Sequence, residues 1–409
     1  MEQAGFKVYR YRWAILVAFM AIVAVNQLLW ITFAPITGSA ARFYGVSDLR
    51  IGLLSMSFMI VYLFVSVPAS WAIDTAGIRV AVGIGAALTG IFGLLRGLLA
   101  ANYTWVFIAQ IGIAIGQPFI LNAVTKVAAR WFPLQERATA SGLGSLAMYL
   151  GIVVGLALTP YLALRSSIGS MLVIYGVASM VAAAAFFVVV RERPPTPPCP
   201  PGHEERSLVL DGLKETLRRK EFILLMVIFF VGLGAFNAVT TWIEDIVRPR
   251  GFSATQAGMI GGLMVAAGIV GAALIPPLSD RYRKRVPFIL LALAGAALGL
   301  AGITYATSYG LLLVSAAVLG LFLLSAGPIG FQYGAEVAYP APEGTSNGLL
   351  LLMGQIAGIL FIFGMDGFKA PGTGSMTLPL VVLLGLLVLN LLLATRLKES
   401  ALMSGSKDR

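Results

Sequence analysis

The sequence predicts an all-α membrane protein of twelve transmembrane helices, arranged as two pseudo-symmetric six-helix bundles. Three observations predict it: charge is scarce, long apolar runs recur from end to end, and two loops of the first half reappear in the second. Of the 409 residues, 58% are hydrophobic and only 11% charged, with a mean hydropathy of +0.89. Soluble domains carry about 25% charged residues, because water must be met by polar groups. A chain this poor in charge is covered by lipid instead.

Apolar runs long enough to cross a roughly 30 Å hydrocarbon core fall at about 12–36, 50–73, 79–100, 103–128, 138–163 and 167–190. The second set falls at about 222–246, 254–278, 286–306, 309–333, 346–368 and 376–396. The first run follows Lys7, Arg10 and Arg12, as a secretion signal would. At about 24 residues it is long enough to span and is read as the retained first helix. Placing the N-terminus in the cytoplasm puts 22 of the 29 Lys and Arg residues on that side and 6 on the other, with Arg96 inside the third span. That asymmetry obeys the positive-inside rule. It accounts for the net charge of +11 without a nucleic-acid partner, and puts both termini in the cytoplasm. The short tails and loops suggest a prokaryotic inner membrane.

Residues 1–190 and 222–409 form the two halves, joined by a linker at 191–221. The linker opens on a proline cluster that favours extended polyproline. Its later part, Ser207 to Lys220, has an amphipathic pattern suited to the inner membrane surface. The lone cysteine, Cys199, and the lone histidine, His203, both lie here. No disulfide framework is possible within the chain, and neither metal nor cofactor is expected.

The repeat is visible in two loops. AIDTAGIR closes the second span with Asp74 and Arg79, and PLSDRYRKR closes the eighth with Asp280, Arg281, Arg283 and Arg285. Asp280 lies 206 residues after Asp74. WFPLQERATASG follows the fourth span and AYPAPEGTSNG the tenth, with Pro133 and Pro340 separated by 207 residues and Gly142 and Gly348 by 206. Two independent loops at one spacing point to a duplication.

An aspartate shortly before a basic cluster, between the second and third spans of each half, resembles the signature loop of the major facilitator superfamily. The resemblance implies that fold, in which the two halves rock about a central path lined by the first, fourth, seventh and tenth spans. It assigns gating to Asp74 with Arg79 and to Asp280 with Arg283 and Arg285. Charge pairs at helix ends close one face and separate without entering lipid.

Polar groups inside spans are candidate substrate contacts, because a lipid-facing position has no use for them. The first span offers Asn26, Gln27 and Trp30, the fourth Gln110, Gln117 and Asn122, the seventh Asn237, Thr240, Thr241 and Trp242, and the eleventh Gln355. Each amide has a competing role as an interhelical hydrogen bond. No acidic residue lies at the centre of a span, which favours facilitated diffusion over proton coupling. Glu244, near the outer end of the seventh span, is the best coupling candidate. Gly142, Gly151 and Gly155 have the spacing of a glycine motif of drug antiporters, but Leu156 stands where that motif has proline, and close helix packing explains the glycines equally well.

The strings NQLLWITFAPI, GQPFILNAVTKVAARWF, GAFNAVTTW and EGTSNGLLLLMGQIAGILF resemble the feline leukaemia virus subgroup C receptor family. That resemblance implies transport of choline or ethanolamine, with haem export as an older assignment. It carries a cation-stacking tryptophan to Trp30 and binding glutamines to Gln117 and Gln355. A second cage aromatic of that family falls on Asn237, which removes one aromatic face. The spans contain no histidine or cysteine to hold haem iron.

The expected function is a facilitator for a small polar or cationic organic solute working by alternating access, as a monomer in the lipid bilayer. A proton-coupled carrier of an organic anion or drug is the alternative within the transporter class, distinguished by substrate-driven pH changes that depend on Glu244. A non-transporting receptor or sensor is the alternative from another class, distinguished by an appended signalling domain. An enzyme is not expected, since the clusters needed for nucleophilic or metal chemistry are missing.

Overall fold

A backbone in hydrocarbon must satisfy its hydrogen bonds within itself, so apolar runs of this length have helix as their one accessible form. The computed structural model describes residues 8–196, 198, 213–339, 341 and 343–400. It contains twelve helical segments long and apolar enough to cross a membrane, and no strand among the described residues. They are Tyr11–Tyr44, Asp48–Thr75, Ile78–Leu98, Tyr103–Leu121, Gln135–Arg165, Ile168–Val189, Lys220–Thr241, Ala254–Tyr282, Val286–Tyr305, Tyr309–Ala338, Thr345–Gly367 and Thr377–Ala394. They are numbered here as the first to twelfth spans, and all twelve expected runs are among them. Cys199, His203 and residues 207–212 of the expected surface helix lie outside the described residues, and its remainder holds a short helix at Leu213–Thr216.

Local chemistry sets the ends. Ser253 begins the eighth span with a reciprocal capping box, its hydroxyl accepting the Gln256 N–H at 3.3 Å while the Gln256 side chain accepts the Ser253 N–H at 2.9 Å. Ser308 and Asn102 cap the tenth and fourth spans in the same sense. Gly77 turns the chain between the second and third spans at φ 85, a left-handed backbone that disfavours any Cβ.

Three spans are interrupted. The first is a helix over Tyr11–Ile31, then a 3-10 turn at Ala34–Ile36, then a helix over Thr37–Tyr44. The fourth ends at Leu121 and the chain resumes helix at Val124–Trp131. Pro118 removes the N–H that would bond one turn back, which weakens the helix just before this break. The seventh ends at Thr241 and resumes at Ile243–Val247. Each interruption falls within a few residues of a predicted polar position, the arrangement that transporters use to free backbone groups around a cavity.

The chain divides into two compact units. One comprises Met1–Trp30, Val61–Gly155 and Leu162–Leu208, and the other Ile31–Ile60, Leu156–Tyr161 and Val209–Arg409. The first is centred on Ile15, Phe19, Ile22, Val82, Phe132 and Phe186. The second is centred on Phe222, Leu225, Ile289, Ile329, Tyr333 and Leu350. Small residues set the closest approaches. A Cβ on Gly85 would stand 2.7 Å from the Gly116 carbonyl, and one on Gly116 the same distance from the Gly85 carbonyl, so the third and fourth spans touch through backbone. The exposed surface is strongly apolar, with Phe64, Trp71, Leu164, Val188 and Leu298 projecting outward, as a lipid-facing surface requires.

Candidate functional site

Within the first unit, the polar residues of the spans form separate hydrogen-bonded clusters. Asn26 Nδ2 donates to Thr89 Oγ1 at 3.1 Å, and Gln27 Nε2 donates to Asn26 Oδ1 at 3.2 Å. Arg96, fully buried, donates through Nη1 to the Leu29 carbonyl at 2.9 Å and to Gln110 Oε1 at 2.6 Å. Gln110 Nε2 also reaches the Leu29 carbonyl, at 3.3 Å. The first helix stops at Ile31, which puts the Leu29 carbonyl in its last turn. Arg96 and Gln110 supply donors and a positive charge at that helix C-terminus, the favourable end for a cation. Trp30, 6% exposed, sits on the turn they brace.

Further along the fourth span, Asn122 accepts from Tyr62 OH at 2.9 Å and donates to Ser66 Oγ at 3.1 Å and Ser70 Oγ at 2.9 Å. Gln117, one turn earlier, has no hydrogen bond to another described residue and is 7% exposed. Asn26, Gln110 and Asn122 are therefore committed to holding helices together and Gln27 to its neighbour Asn26, whereas Gln117 has its amide to spare.

In the second unit, Gln355 is likewise without a hydrogen bond among the described residues. Asn237 makes a long contact from Nδ2 to the Gly354 carbonyl at 3.4 Å, and a Cβ on Gly358 would lie 3.0 Å from the same nitrogen. Trp242 is fully enclosed, with its indole N–H on the Ile362 carbonyl at 3.1 Å and its ring filling the space over Gly52. That residue is packing at the break of the seventh span and has no free surface to offer a solute.

The predicted gating residues also separate. In the first unit Asp74 accepts from Lys126 Nζ at 3.2 Å, and not from Arg79. Arg79 uses its backbone N–H, donating to Glu192 Oε2 at 2.7 Å, and the same carboxylate pairs with Arg130. Arg12 and Glu136 form a two-point pair at 3.0 and 3.2 Å. In the second unit Arg285, 4% exposed, joins Asp280, Ser279 Oγ at 3.1 Å and Glu336 Oε1 at 3.0 Å. Glu336 also accepts from Ser400 Oγ at 2.8 Å, while Glu399 caps the ninth span by accepting the Arg285 and Val286 N–H groups at about 3.0 Å. Arg283 serves as the left-handed residue ending the eighth span at φ 51. Lys126, Arg130, Glu192, Glu336 and Glu399 are among the members that sequence spacing did not assign to gating. Their signal, charges flanking span ends, is shared with every positive-inside loop.

A larger cluster occupies the other end of the second unit. Arg248 pairs with Asp48 at 2.6 Å, with Glu244 at 3.1 Å and with Asp245. Lys369 pairs with Asp48 at 2.8 Å and with Asp245 at 3.2 Å. Glu244 Oε2 accepts the Gly38 N–H at 2.7 Å. These bonds tie the segment from Ile31 to Ile60 to the seventh and eleventh spans. Burial raises the Glu244 carboxyl above the ordinary range, despite the Gly38 N–H and Arg248. Asp245, with no exposed surface, is pushed up to about 7 by burial, with Asp48 and Glu244 adding to it against Arg248 and Lys369.

The sequence pattern of the Major Facilitator Superfamily matches residues 15–362. Solute carrier family 49 member A3 of Xenopus tropicalis is 31% identical over 390 residues, covering 90% of this chain and 80% of its own. The choline/ethanolamine transporter FLVCR1 of Felis catus is 29% identical over 405 residues, covering 92% and 72%. The choline/ethanolamine transporter FLVCR2 of Homo sapiens is 28% identical over 381 residues, covering 87% and 71%. Among solved structures, a bacterial homolog to the human lysosomal transporter Spinster, inward-facing and unoccupied, superposes with a TM-score of 0.76 at 17% identity. It covers 96% of this chain and 98% of its own, a likeness of fold.

Proposed function

The chain belongs to the Major Facilitator Superfamily and is a multi-pass membrane transporter, and from that premise we propose that it carries a small amine of the choline or ethanolamine class as a facilitator. The observation that carries the reading is the division among its amides. Four of the polar positions in the first unit are spent on internal hydrogen bonds, and Gln117 is not. Its amide, without a hydrogen bond to another described residue, is available to a solute hydroxyl or amine. Trp30, held by the braced end of the first helix, offers an aromatic face on which a desolvated cation gains about 2 kcal/mol.

Two relatives are choline/ethanolamine transporters by name, and they span most of this chain. Within the second unit, the sequence resemblance makes Gln355 and Asn237 candidate contacts. At Asn237 an amide takes the place of a second aromatic face, which favours a primary amine or a hydroxyl over a quaternary ammonium. We place the linker at 191–221 between two six-helix halves working by alternating access, with both termini cytoplasmic on the strength of the Lys and Arg asymmetry. The solute-coupling role of Glu244 belongs to a second reading, a proton-linked carrier, favoured by the raised carboxyls around Arg248.

Uptake of labelled ethanolamine and choline into proteoliposomes tests the proposal. Saturable uptake of either, weakened roughly 30-fold in affinity by Trp30→Leu and less by Trp30→Phe, is expected from a loss of about 2 kcal/mol. No uptake of either amine refutes it. Acidification or alkalinisation of the vesicle interior that accompanies the solute and vanishes in Glu244→Gln favours the proton-linked reading.

A further inference from the structure

Where the chain enters the first span and leaves the sixth, the first unit holds a cavity of about 500 Å³. It is lined by the aromatics Tyr9, Tyr11 and Trp131 and by Arg191 and Arg193 at the start of the linker. A cavity of this size suits an organic molecule better than a bare ion. Its walls are set by the chain's own bonds. Trp131, 3% exposed, donates its indole N–H to the Arg191 carbonyl at 3.2 Å, and Tyr11 OH donates to the Val189 carbonyl at 2.6 Å. Thr196 Oγ1 donates to Tyr9 OH at 3.1 Å. The rings of Tyr11 and Trp131 lie 6.1 Å apart, and the Arg191 guanidinium stands 5.5 Å from the centre of the Tyr11 ring. Pro194 and Pro195 complete the lining with a backbone of restricted freedom.

The cavity has positive charge and nothing to balance it. The first unit has three described carboxylates, and each serves another cation. Asp74 takes Lys126, Glu136 takes Arg12, and Glu192 takes Arg130 together with the Arg79 N–H. Arg191 and Arg193 are exposed, and neither has a carboxylate partner among the described residues. A guanidinium that lies over an aromatic ring keeps its N–H donors for an anion, and the fork they form matches phosphate oxygens. The positive-inside rule accounts for arginines at this end of the spans. It does not account for their meeting three aromatics around one cavity. The neighbouring surface is that of a membrane boundary, since Val8, Trp13, Phe187 and Val188 at the same span ends are all exposed.

We propose that this cavity binds an anionic phosphate ester, supplied by the membrane as the headgroup of an anionic phospholipid, with Arg191 and Arg193 holding the phosphate. The exposed apolar side chains beside the cavity give the acyl chains a surface to lie on, which a soluble phosphate does not need. The site shares no residue with the candidate solute contacts Trp30, Gln117, Asn237 and Gln355, so it stands whichever solute is carried.

The test counts bound molecules. Purified full-length protein in dodecyl maltoside is titrated with phosphatidylglycerol, with phosphatidylcholine and with glycerol 3-phosphate, and the copies retained per protein are read by native mass spectrometry. One phosphatidylglycerol is expected to bind ahead of the rest, with phosphatidylcholine and glycerol 3-phosphate much weaker. The double variant Arg191→Gln with Arg193→Gln should weaken that first copy about 30-fold, from the loss of two cations at a membrane surface. Arg281→Gln with Lys284→Gln removes two exposed cations that do not line the cavity and should change it less than about threefold. Arg193→Gln alone gives up no hydrogen bond or ion pair to a described residue. It should weaken binding about fivefold, and it keeps the test open if the double variant fails to fold. Equal losses in the two double variants, or no preference for phosphatidylglycerol over phosphatidylcholine, overturn the site. Glycerol 3-phosphate binding as tightly as the lipid, and lost in the same variants, overturns the membrane as its source.

Discussion

The ion pair around Arg285 makes a quantitative prediction, because its two carboxylates differ sharply in burial. Arg285 and Glu336 are 4% and 7% exposed, whereas Asp280 is 64% exposed. An exposed pair contributes at most about 1 kcal/mol, since water screens it and its side chains lose freedom in forming it. Removing one member of a buried pair costs about 3–5 kcal/mol, since a charge is left without compensation. Arg285→Met strands Glu336 with only Gln332 and Ser400 as neutral donors, so it is expected at the upper end of that range. Asp280→Asn is expected to cost under about 1 kcal/mol. The double variant Arg285→Met with Glu336→Gln removes both charges, and should recover more than half of the loss seen in Arg285→Met alone. Unfolding in mixed detergent micelles at increasing SDS, followed by tryptophan fluorescence, measures all three. Equal losses for Asp280→Asn and Arg285→Met, or a double variant no better than Arg285→Met, would refute the assignment of Glu336 as the principal partner.

The other predictions concern the amides and the buried arginine. Gln117→Ala should raise the KM for amine uptake with little change in unfolding midpoint, whereas Asn122→Ala, which cuts its bonds to Tyr62, Ser66 and Ser70, should lower the midpoint; SDS unfolding and uptake on the same preparations separate the two. Arg96→Met leaves the Leu29 carbonyl with one weak donor and should destabilise by about 1–3 kcal/mol, with Arg96→Lys restoring part of the loss in the same unfolding assay.

The spans were legible in the sequence because lipid leaves a long apolar run no alternative to helix. Their interruptions were not. Asn122 and Trp242 read as candidate contacts inside unbroken spans, and only the structure shows the helices ending there. The candidate site was legible as a set of residue types, since polarity inside a span is conspicuous. Which amides are committed was not, because Asn26 and Gln117 look alike until Thr89 is seen to bond the first and nothing described bonds the second. Charge partners were the least legible part. Asp74 has Arg79 nearby in sequence, but five residues across a helix–turn–helix separate their side chains, and the partner is Lys126 on a later segment. The Asp48–Lys369 bond joins positions 321 residues apart, a distance over which no local pattern can act.

A carrier that moves a cation without a coupling ion must come to equilibrium with the membrane potential alone. A monovalent amine should therefore accumulate about tenfold in proteoliposomes for each roughly 60 mV imposed, interior negative. The direct measurement is the steady-state ratio of labelled ethanolamine or choline inside to outside, at several potassium-set potentials and with no pH difference. The account predicts that ratio to follow the potential and to be unmoved when a proton gradient is added. A ratio fixed by the proton gradient, or one that stays at unity while the potential is varied, would contradict it.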